Sequence, residues 1–422
     1  MAERVINSSA GVDDTIDVLV FGGGYNGDDG GTHLGCTQGG ASHDDTDCTD
    51  EATGGGNTAD ILLVGKDAAH GHGDGGSVDL TMPTIGENDD EGNAVFVVEA
   101  DNGNLIWKAR GGSLGFNSGD SAYQHPNMED SIPSELAAVD TSGDGKLDRI
   151  YFGDTGGRVW RVDMPQTDQD ASGDIIDDWF VTELLDVGRH DDNNTNTSAD
   201  IRFFNRPDVV QTSDGSSFDA VIIGSGDRAN PLGQVREDTF FMIKDRNITS
   251  GGTLDTTGWP YDRLDLADLT SDDCAVSVTT GACAGADIDK GWFIDLGLGT
   301  TGTGEKNLAA ALTLGGTIFF STFSPVAATS ACGLSEGTGK IFAVSLLDAT
   351  AIFSIDTSND SDPDNPTLER FAELDSGGIP VETVPLGGDD ILILGSADPL
   401  RKTGATTSWK TFWYERDTDD TP

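Results

Sequence analysis

The sequence predicts an all-β fold built from several imperfect four-stranded sheets arranged radially. Short apolar runs rich in Val, Ile and Phe recur along the chain and end at Gly, Asp or Asn, which is typical of strands closed by turns. Pairs of these runs repeat one hairpin pattern, in which the second strand ends near a Trp. No long stretch has apolar residues at helical spacing, so we expect few helices.

Three segments show the hairpin pattern. Residues 94–109 (AVFVVEADNGNLIWKA) and 149–164 (RIYFGDTGGRVWRVDM) each read as strand, tight Asp/Gly turn and strand, and residues 340–353 are a weaker copy without Trp. Such turns need residues that tolerate positive φ. A ring of these units leaves few exposed strand edges, which favours a β-propeller. A pair of β-sandwiches is the alternative.

The length and composition suit a large β-structure with long loops. The 422 residues include 57 Gly, and 36% of residues are hydrophobic, which is enough for a sizeable core. Length alone leaves one propeller and two smaller domains both open. Three acidic insertions interrupt the strands at residues 26–93, 165–200 and 357–377, and their Gly, Asp, Asn, Thr and Ser content predicts surface loops.

The charge balance is strongly acidic. Lys plus Arg number 24 against 74 Asp plus Glu, giving a formal charge of -50. Phosphate-bearing partners such as nucleic acids and anionic lipid surfaces would be repelled, because no surplus of cations is present to displace counterions. We therefore expect cations, proteins or uncharged surfaces as partners. Most of the acidic residues need only serve solvation, so any site must rest on a particular spacing.

Five cysteines indicate the compartment. Cys36 and Cys48 lie in one Gly/Asp-rich loop and Cys274 and Cys283 in another, so each pair is a candidate disulfide, with Cys332 left over. Disulfides favour an oxidising, extracytoplasmic compartment. Five free thiols are the alternative.

Targeting signals are not evident in the sequence. Residues 1–20 lack a basic start followed by an apolar signal core, and no apolar run reaches the length of a membrane helix. We expect no direct transmembrane segment.

One acidic loop has the spacing of a calcium site. Counting Asp140 as the first position, Gly145 falls at the sixth, where an EF-hand-like loop requires Gly for its turn. Oxygen donors occupy the other ligand positions, and Ca²⁺ takes six to eight such hard ligands. The predicted metal ligands are Asp140, Ser142, Asp144, the backbone carbonyl of Lys146, and Asp148.

Two departures from the EF-hand pattern affect this prediction. Ser142 stands where Asp or Asn is usual, and Tyr151 stands at the twelfth position, where a bidentate Glu closes the site. Asp148 would therefore have to close the site itself. Having fewer anionic ligands predicts weaker affinity, towards the extracellular end of the range. An acidic turn without metal is the alternative.

Other motifs carry weaker signals. His70, His72 and Asp74 in AHGHGDGG resemble a metal cluster but lack a clear fourth ligand, so a Gly-rich loop is favoured. FGGGYNG and GSGDR lack the strand–Gly loop–helix context of a phosphate site. No Ser-His-Asp or Cys-His arrangement stands out from spacing. We therefore expect no enzymatic activity.

Several stretches together resemble one family, the C-terminal β-propeller of the PilC/PilY type IV pilus tip and biogenesis proteins. Their order and spacing extend from about residue 15 to residue 412. The stretches are 137–164, RFFNRPDVV (202–210), FDAVIIGSGDRANPL (218–232), TFFMIKDRN (239–247), GWFIDLG (291–297), LGGTIFFSTFSP (314–325) and TSWK (407–410).

The resemblance implies a modified seven-bladed β-propeller with long acidic loop insertions. On this reading residues 12–416 form one domain, with 26–93 as a large insertion and 1–11 and 417–422 as flexible ends. The family's calcium loop corresponds to Asp140–Asp148. The family's N-terminal von Willebrand-like portion is missing and no RGD tripeptide occurs, so an integrin-type contact is not supported.

The function implied is a calcium-binding, non-enzymatic module at the pilus tip, outer membrane or cell surface. It would support pilus assembly, control of extension versus retraction, adhesion and twitching motility, with minor pilins and host or abiotic surfaces as partners. Ca²⁺ would order the loop and change how the propeller engages pilus components.

Two alternatives stay open at this point. One is a quinoprotein-like propeller dehydrogenase, which uses similar turns but usually needs an adjacent Cys pair that is absent here. The other is a stand-alone extracellular adhesin.

Overall fold

A computed structural model gives the fold of the protein. It describes residues 3–6, 15–25, 92–117, 119, 121–166, 174–188, 201–233, 238–248, 254–278, 283–297, 304–326, 337–352, 370–374, 378–380, 382–385 and 391–393. The predicted insertion at 26–93 and the cluster around His70 lie almost wholly outside these residues, as do Cys36, Cys48 and Cys332.

The first sheet has six strands. They are β1 (Glu3–Ile6), β2 (Thr15–Gly22), β3 (Ala94–Glu99), β4 (Leu105–Gly111), β5 (Gly115–Asn117) and β6 (Ala122–His125). Their order is β1-β2-β3-β4-β6-β5, and all neighbours are antiparallel except β4 and β6. Alternate side chains point to one face, where Val18, Val97 and Trp107 are fully buried. Because β1 pairs with β2, residues 3–6 belong to the sheet rather than to a flexible end.

The second sheet is buried on both faces. Its strands are β7 (Ala137–Val139), β8 (Arg149–Gly153), β9 (Arg158–Asp163) and β10 (Phe180–Asp186), in the order β10-β9-β8-β7. Every residue of β8 is buried. Ile150 and Phe152 pack with the first sheet, whereas Tyr151 packs on the opposite face. Burial on both sides explains why β8 reads as a nearly continuous apolar run.

Strand β10 corrects one expectation. Residues 165–200 were expected to form a surface loop, but Phe180–Asp186 pairs with β9, with a bulge at Leu184. Trp179, Leu184 and Leu185 are fully buried. Acidic residues flank this apolar segment in the sequence, so the stretch resembles a loop. The segment is nevertheless long enough to form the fourth strand of the sheet.

The third and fourth sheets follow in chain order. The third contains β11 (Asp208–Ser213), β12 (Ser217–Gly224), β13 (Thr239–Asp245), β14 (Ala267–Asp268) and β15 (Gly291–Asp295), ordered β11-β12-β13-β15-β14. The fourth contains β16 (Lys306–Asn307), β17 (Leu312–Leu314), β18 (Thr317–Pro325), β19 (Gly337–Ser345) and β20 (Phe371–Glu373), ordered β16-β18-β19-β20 with β17 also on β18. A last pair comprises β21 (Thr383–Pro385) and β22 (Ile391–Ile393).

Successive sheets share their cores face to face. One apolar cluster joins the first and second sheets, another the second and third, and another the third and fourth. In the last of these, the Phe240 and Phe320 rings stack with centroids 3.6 Å apart. Strand β11 also touches β7 on one side and β17 on the other. This serial stacking fits a radial arrangement and not two-layer sandwiches; the number of blades stays a prediction.

The all-β prediction is confirmed. Within the described part of the chain, helical structure is limited to α1 (Asp273–Val276), the 3₁₀ turns Ile175–Asp178 and Arg263–Asp265, and a 3₁₀ residue at Cys283. The hairpins predicted at 94–109 and 149–164 form as β3–β4 and β8–β9. In the weaker copy, β19 is followed by a turn with Ala349 at φ 54° and a single bridge from Val344 to Ala351. No described helix is long and apolar enough to cross a membrane.

One predicted disulfide is present. Cys274 and Cys283 are bonded, and both are buried within the segment that joins β14 to β15. The bridge ties α1 to the segment that leads into β15.

Opposite charges are buried between the second and third sheets. Arg149 Nη1 lies 2.9 Å from Asp219 Oδ2, and Arg161 Nη1 lies 2.7 Å from Asp245 Oδ2. The Tyr151 hydroxyl is within hydrogen-bond distance of both carboxylates, at 3.1 and 2.8 Å. Each of these side chains is 3% exposed or less. We call these five residues the inter-sheet cluster.

Asp219→Asn tests the inter-sheet cluster. The amide would leave Arg149 buried without its full counter-charge, so we expect the free energy of unfolding to fall by about 3 kcal/mol or more. Urea unfolding followed by circular dichroism measures this. The control is Glu135→Gln, which breaks an exposed ion pair with Arg206 at 4.0 Å and should cost less than about 1 kcal/mol. Equal effects of the two substitutions would contradict the interpretation.

Candidate metal centre

The predicted calcium loop joins β7 to β8. Its two ends meet in the antiparallel pairing Val139↔Arg149, and Asp148 donates its backbone N–H to the Val139 carbonyl at 3.0 Å. The loop is therefore held at its base by the second sheet, while residues Thr141–Gly145 lie towards solvent.

Asp140 organises the first half of the loop. Its Oδ1 accepts from the Gly143 N–H at 2.6 Å and from the Ser142 hydroxyl at 3.3 Å, and its Oδ2 accepts from the Gly145 N–H at 2.8 Å. Gly143 and Gly145 have φ values of 74° and 81°, in the left-handed region that favours glycine. The backbone thus turns back towards the Asp140 carboxylate, as the predicted ligand spacing requires.

Asp148 closes the loop from the other end. Its Oδ2 accepts from the Thr141 N–H at 2.8 Å, the Thr141 hydroxyl at 2.7 Å and the Ser142 N–H at 2.9 Å. Its Oδ1 takes part in no hydrogen bond among the described residues. One carboxylate oxygen therefore fixes the loop and the other stays available to a ligand.

Asp144 is held by its neighbour. Its Oδ1 accepts from the Lys146 N–H and its Oδ2 from the Lys146 ammonium, both at 3.0 Å. Burial alone would raise the pKa of the Asp144 carboxyl, but the hydrogen bonds and charge of Lys146 outweigh it and lower the pKa. The positively charged Lys146 ammonium is thus paired with a carboxylate that a bound metal ion would need as a ligand.

The last part of the loop is rigidly anchored. Leu147 is buried in the core between the first and second sheets, and its carbonyl accepts from Gln166 Nε2 at 2.7 Å. The Asp148 carbonyl accepts from the Met164 N–H at 2.9 Å. Tyr151, at the twelfth position, is buried in the inter-sheet cluster. It is therefore unavailable as a ligand.

The donor set fits Ca²⁺ in its chemistry. Three carboxylates, one hydroxyl and one backbone carbonyl are hard oxygen donors, which suit Ca²⁺ and not the softer transition metals. The structure places Asp140, Ser142, Asp144, Lys146 and Asp148 on one short loop. Yet the described residues contain no group of three or more His, Cys, Asp or Glu side chains arranged to hold a metal ion. The three carboxylates are instead directed at backbone N–H groups and at Lys146.

Sequence reasoning missed three contributors to this loop. Thr141 supplies two of the three hydrogen bonds to Asp148, Gln166 caps the loop from outside its sequence, and the Lys146 side chain pairs with Asp144. Thr141 and Lys146 lie inside the motif, but the ligand spacing uses only the backbone carbonyl of Lys146 and leaves Thr141 out. Gln166 gives no local signal, because its contact depends on the β8–β9 hairpin.

Comparison with known proteins shows a likeness to solved structures. No family model matches the chain, and no curated protein matches it. Among solved structures, the chain is similar to the C-terminal domain of PilY1 from Pseudomonas aeruginosa. The two are 15% identical with a TM-score of 0.48, and the aligned part covers 74% of this chain and 66% of that chain. The chain thus spans slightly less than two thirds of that chain's length.

Lys146→Gln tests whether the lysine competes with a cation. Removing the ammonium frees an oxygen of Asp144 and removes a like charge near the bound ion, so we expect Ca²⁺ to bind about threefold to tenfold more tightly at low ionic strength. Isothermal titration measures the change. Lys146→Arg keeps the charge and is the matched control. An unchanged affinity for Lys146→Gln would show that Lys146 does not compete with the ion.

Proposed function

We propose that this protein is a calcium-binding, non-enzymatic module of type IV pilus tip and biogenesis machinery. The observation that carries the calcium part is the Asp140–Asp148 loop, which has the ligand spacing, the two left-handed glycines and the all-oxygen donor set of a calcium site. The finer roles proposed are support of pilus assembly, control of extension versus retraction, adhesion and twitching motility.

The residues that would hold the ion are Asp140, Ser142, Asp144, the carbonyl of Lys146, and Asp148. Bound there, Ca²⁺ would supply positive charge that offsets the repulsion among three neighbouring carboxylates. The chain's own residues do the rest: Asp140 and Asp148 shape the backbone, and Leu147 anchors it. Lys146 has to release Asp144 before that carboxylate can take part.

The position of the loop suggests how its state would reach the rest of the molecule. Arg149 follows Asp148 directly, and its side chain contacts Asp219 of the third sheet and, at 3.4 Å, Asp163 of β9. The end of the loop is therefore one residue from Arg149, whose side chain joins the second and third sheets. This supports a role in which loop occupancy adjusts sheet packing, and with it a surface offered to partners.

The pilus assignment rests on the sequence stretches that resemble PilC/PilY proteins. The longest of them runs from β7 through the calcium loop to the end of β9. Others include the central strands β12, β13 and β15 of the third sheet and β18 of the fourth. The partners proposed are minor pilins together with host or abiotic surfaces.

An extracytoplasmic location is part of the proposal, at the pilus tip, outer membrane or cell surface. The disulfide between Cys274 and Cys283 supports it, because such bonds persist in oxidising compartments. The acidic charge supports cationic or protein partners over nucleic acids.

Calcium titration of the purified chain tests the proposal. We expect saturable Ca²⁺ binding by calorimetry and a higher melting temperature in Ca²⁺ than in a chelator, because binding to the folded state alone stabilises it. Asp148→Ala should abolish both effects. Glu135→Ala, at an exposed acid outside the loop, should keep both. If wild type showed no binding, or Asp148→Ala bound like wild type, the calcium role would be excluded.

A second experiment addresses the pilus and enzyme questions. Cells that carry Asp148→Ala should show fewer surface pili and reduced twitching, while Glu135→Ala cells should resemble wild type. Normal piliation and twitching in a deletion strain would exclude the pilus role. Alcohol oxidation by the purified chain after reconstitution with a quinone cofactor would favour the dehydrogenase alternative.

A further inference from the structure

A groove of about 510 Å³ opens where the third and fourth sheets meet at one end. Its floor is apolar and consists of Val278, Ala286, Ile288 and Leu347. The first three pack on the core shared by the two sheets, and Leu347 is 36% exposed. Asp287 and Asp348 stand at its rim. We call these six residues the acidic groove.

Each rim carboxylate accepts local hydrogen bonds, and Asp348 is also attracted by the charge of the buried Arg370 guanidinium. Asp287 Oδ1 accepts only the Asp289 N–H, at 3.1 Å, and Asp348 Oδ1 accepts from the Thr350 hydroxyl at 2.8 Å and its N–H at 3.3 Å. No ion pair joins either aspartate to a described Lys or Arg. The buried Arg370 guanidinium nearby donates to the Leu269 carbonyl at 2.6 Å rather than to Asp348.

Lys244, Asp214 and Asp289 also line the groove, and the cations there are already neutralised. Lys244 pairs with Asp214 at 2.7 Å, and Arg246 pairs with Asp214 at 2.9 Å and with Asp289 at 2.8 Å. Both cations also lie over the Phe218 ring, at 5.1 and 5.3 Å from its centroid. The charges of these two acids and two bases cancel. Arg370 offsets part of the charge of Asp348, so the remaining negative charge at the groove comes from Asp287 and, in part, from Asp348.

The groove walls are tied together before any partner arrives. The Ala351 N–H donates to the Ala275 carbonyl at 2.8 Å, which joins the turn after β19 to α1. Trp292 Nε1 donates to the Leu346 carbonyl at 3.0 Å, and the disulfide at Cys274 secures α1. A preformed surface loses little freedom on binding, which favours recognition.

We propose that the acidic groove binds a segment of a partner protein in which a basic residue lies next to an aliphatic one. A Lys or Arg of the partner would face Asp287 and Asp348, and an adjacent aliphatic side chain would lie on the floor of Val278, Ile288 and Leu347. The volume suits a few side chains. A second copy of this chain is disfavoured, because two molecules of charge -50 repel each other. This surface shares no residue with the Asp140–Asp148 loop.

Fluorescence anisotropy with labelled octapeptides tests the groove in the full chain. The probe carries Lys-Leu-Leu-Lys between Gly-Ser ends, and two comparison peptides replace either Leu by Ser or Lys by Glu. We expect the Lys-Leu probe to bind best. The variant Asp287→Asn/Asp348→Asn should weaken its binding about fivefold or more, since two facing charges are removed. The control Asp101→Asn/Glu135→Gln removes equal charge elsewhere and should change binding less than about twofold.

A charge reversal gives an independent readout. Asp287→Lys/Asp348→Lys should bind the Glu-Leu peptide in preference to the Lys-Leu probe. Asp148→Ala should bind the Lys-Leu probe like wild type, which separates this result from the calcium proposal. No binding at millimolar probe, equal binding of the Lys-Ser peptide, or equal losses in the control variant would overturn the proposal. Melting temperatures of all variants confirm that they fold.

Discussion

The pairing of buried charges between the second and third sheets is the constraint on which the central part of this fold depends. Arg149 and Arg161 bring two cations into a space that water does not reach, and each would cost several kcal/mol if left alone. Asp219, Asp245 and Tyr151 meet them from the facing sheet and from β8 itself. Apolar contacts tolerate sliding, but these hydrogen bonds are satisfied only in one relative placement of the sheets. We therefore regard the inter-sheet cluster as a determinant of register more than of net stability.

The structure of the Asp140–Asp148 loop depends on its position next to this cluster. Its last residues lie between a buried leucine, Leu147, and a buried arginine, Arg149, so they cannot move without disturbing two cores. Its first residues are largely exposed and are shaped by the Asp140 and Asp148 carboxylates and two glycines. If an ion ordered the exposed half, the anchored half would transmit the backbone change to the two cores. The physical link from loop to sheet is thus a single peptide unit.

The sequence predicted those features that are coded locally. The hairpins β3–β4 and β8–β9 could be predicted because apolar alternation and Asp/Gly turns lie within each segment. The loop could be predicted for the same reason, and the local sequence also showed that Tyr151 replaces the closing Glu ligand. Strand β10 was missed because its apolar residues stand inside an acidic stretch that reads as loop. The cluster of Arg149 with Asp219 was missed because 70 positions separate the partners, and a surplus of acids makes any single aspartate look like a solvating one.

The surplus of aspartate is itself partly structural. Asp154 accepts from the Gly156 and Arg158 N–H groups and from Trp160 Nε1, and Asp262 caps a 3₁₀ turn through the Leu264 and Asp265 N–H groups. Asp140 does the same within its loop. A carboxylate that stabilises a turn in this way already has the backbone wrapped around it. The step from turn to cation site is then small and depends on whether further carboxylates face the same point. At Asp140–Asp148 that step is opposed by Lys146, whose ammonium pairs with Asp144, so an ion entering the loop would have to compete with this ammonium for the Asp144 carboxylate.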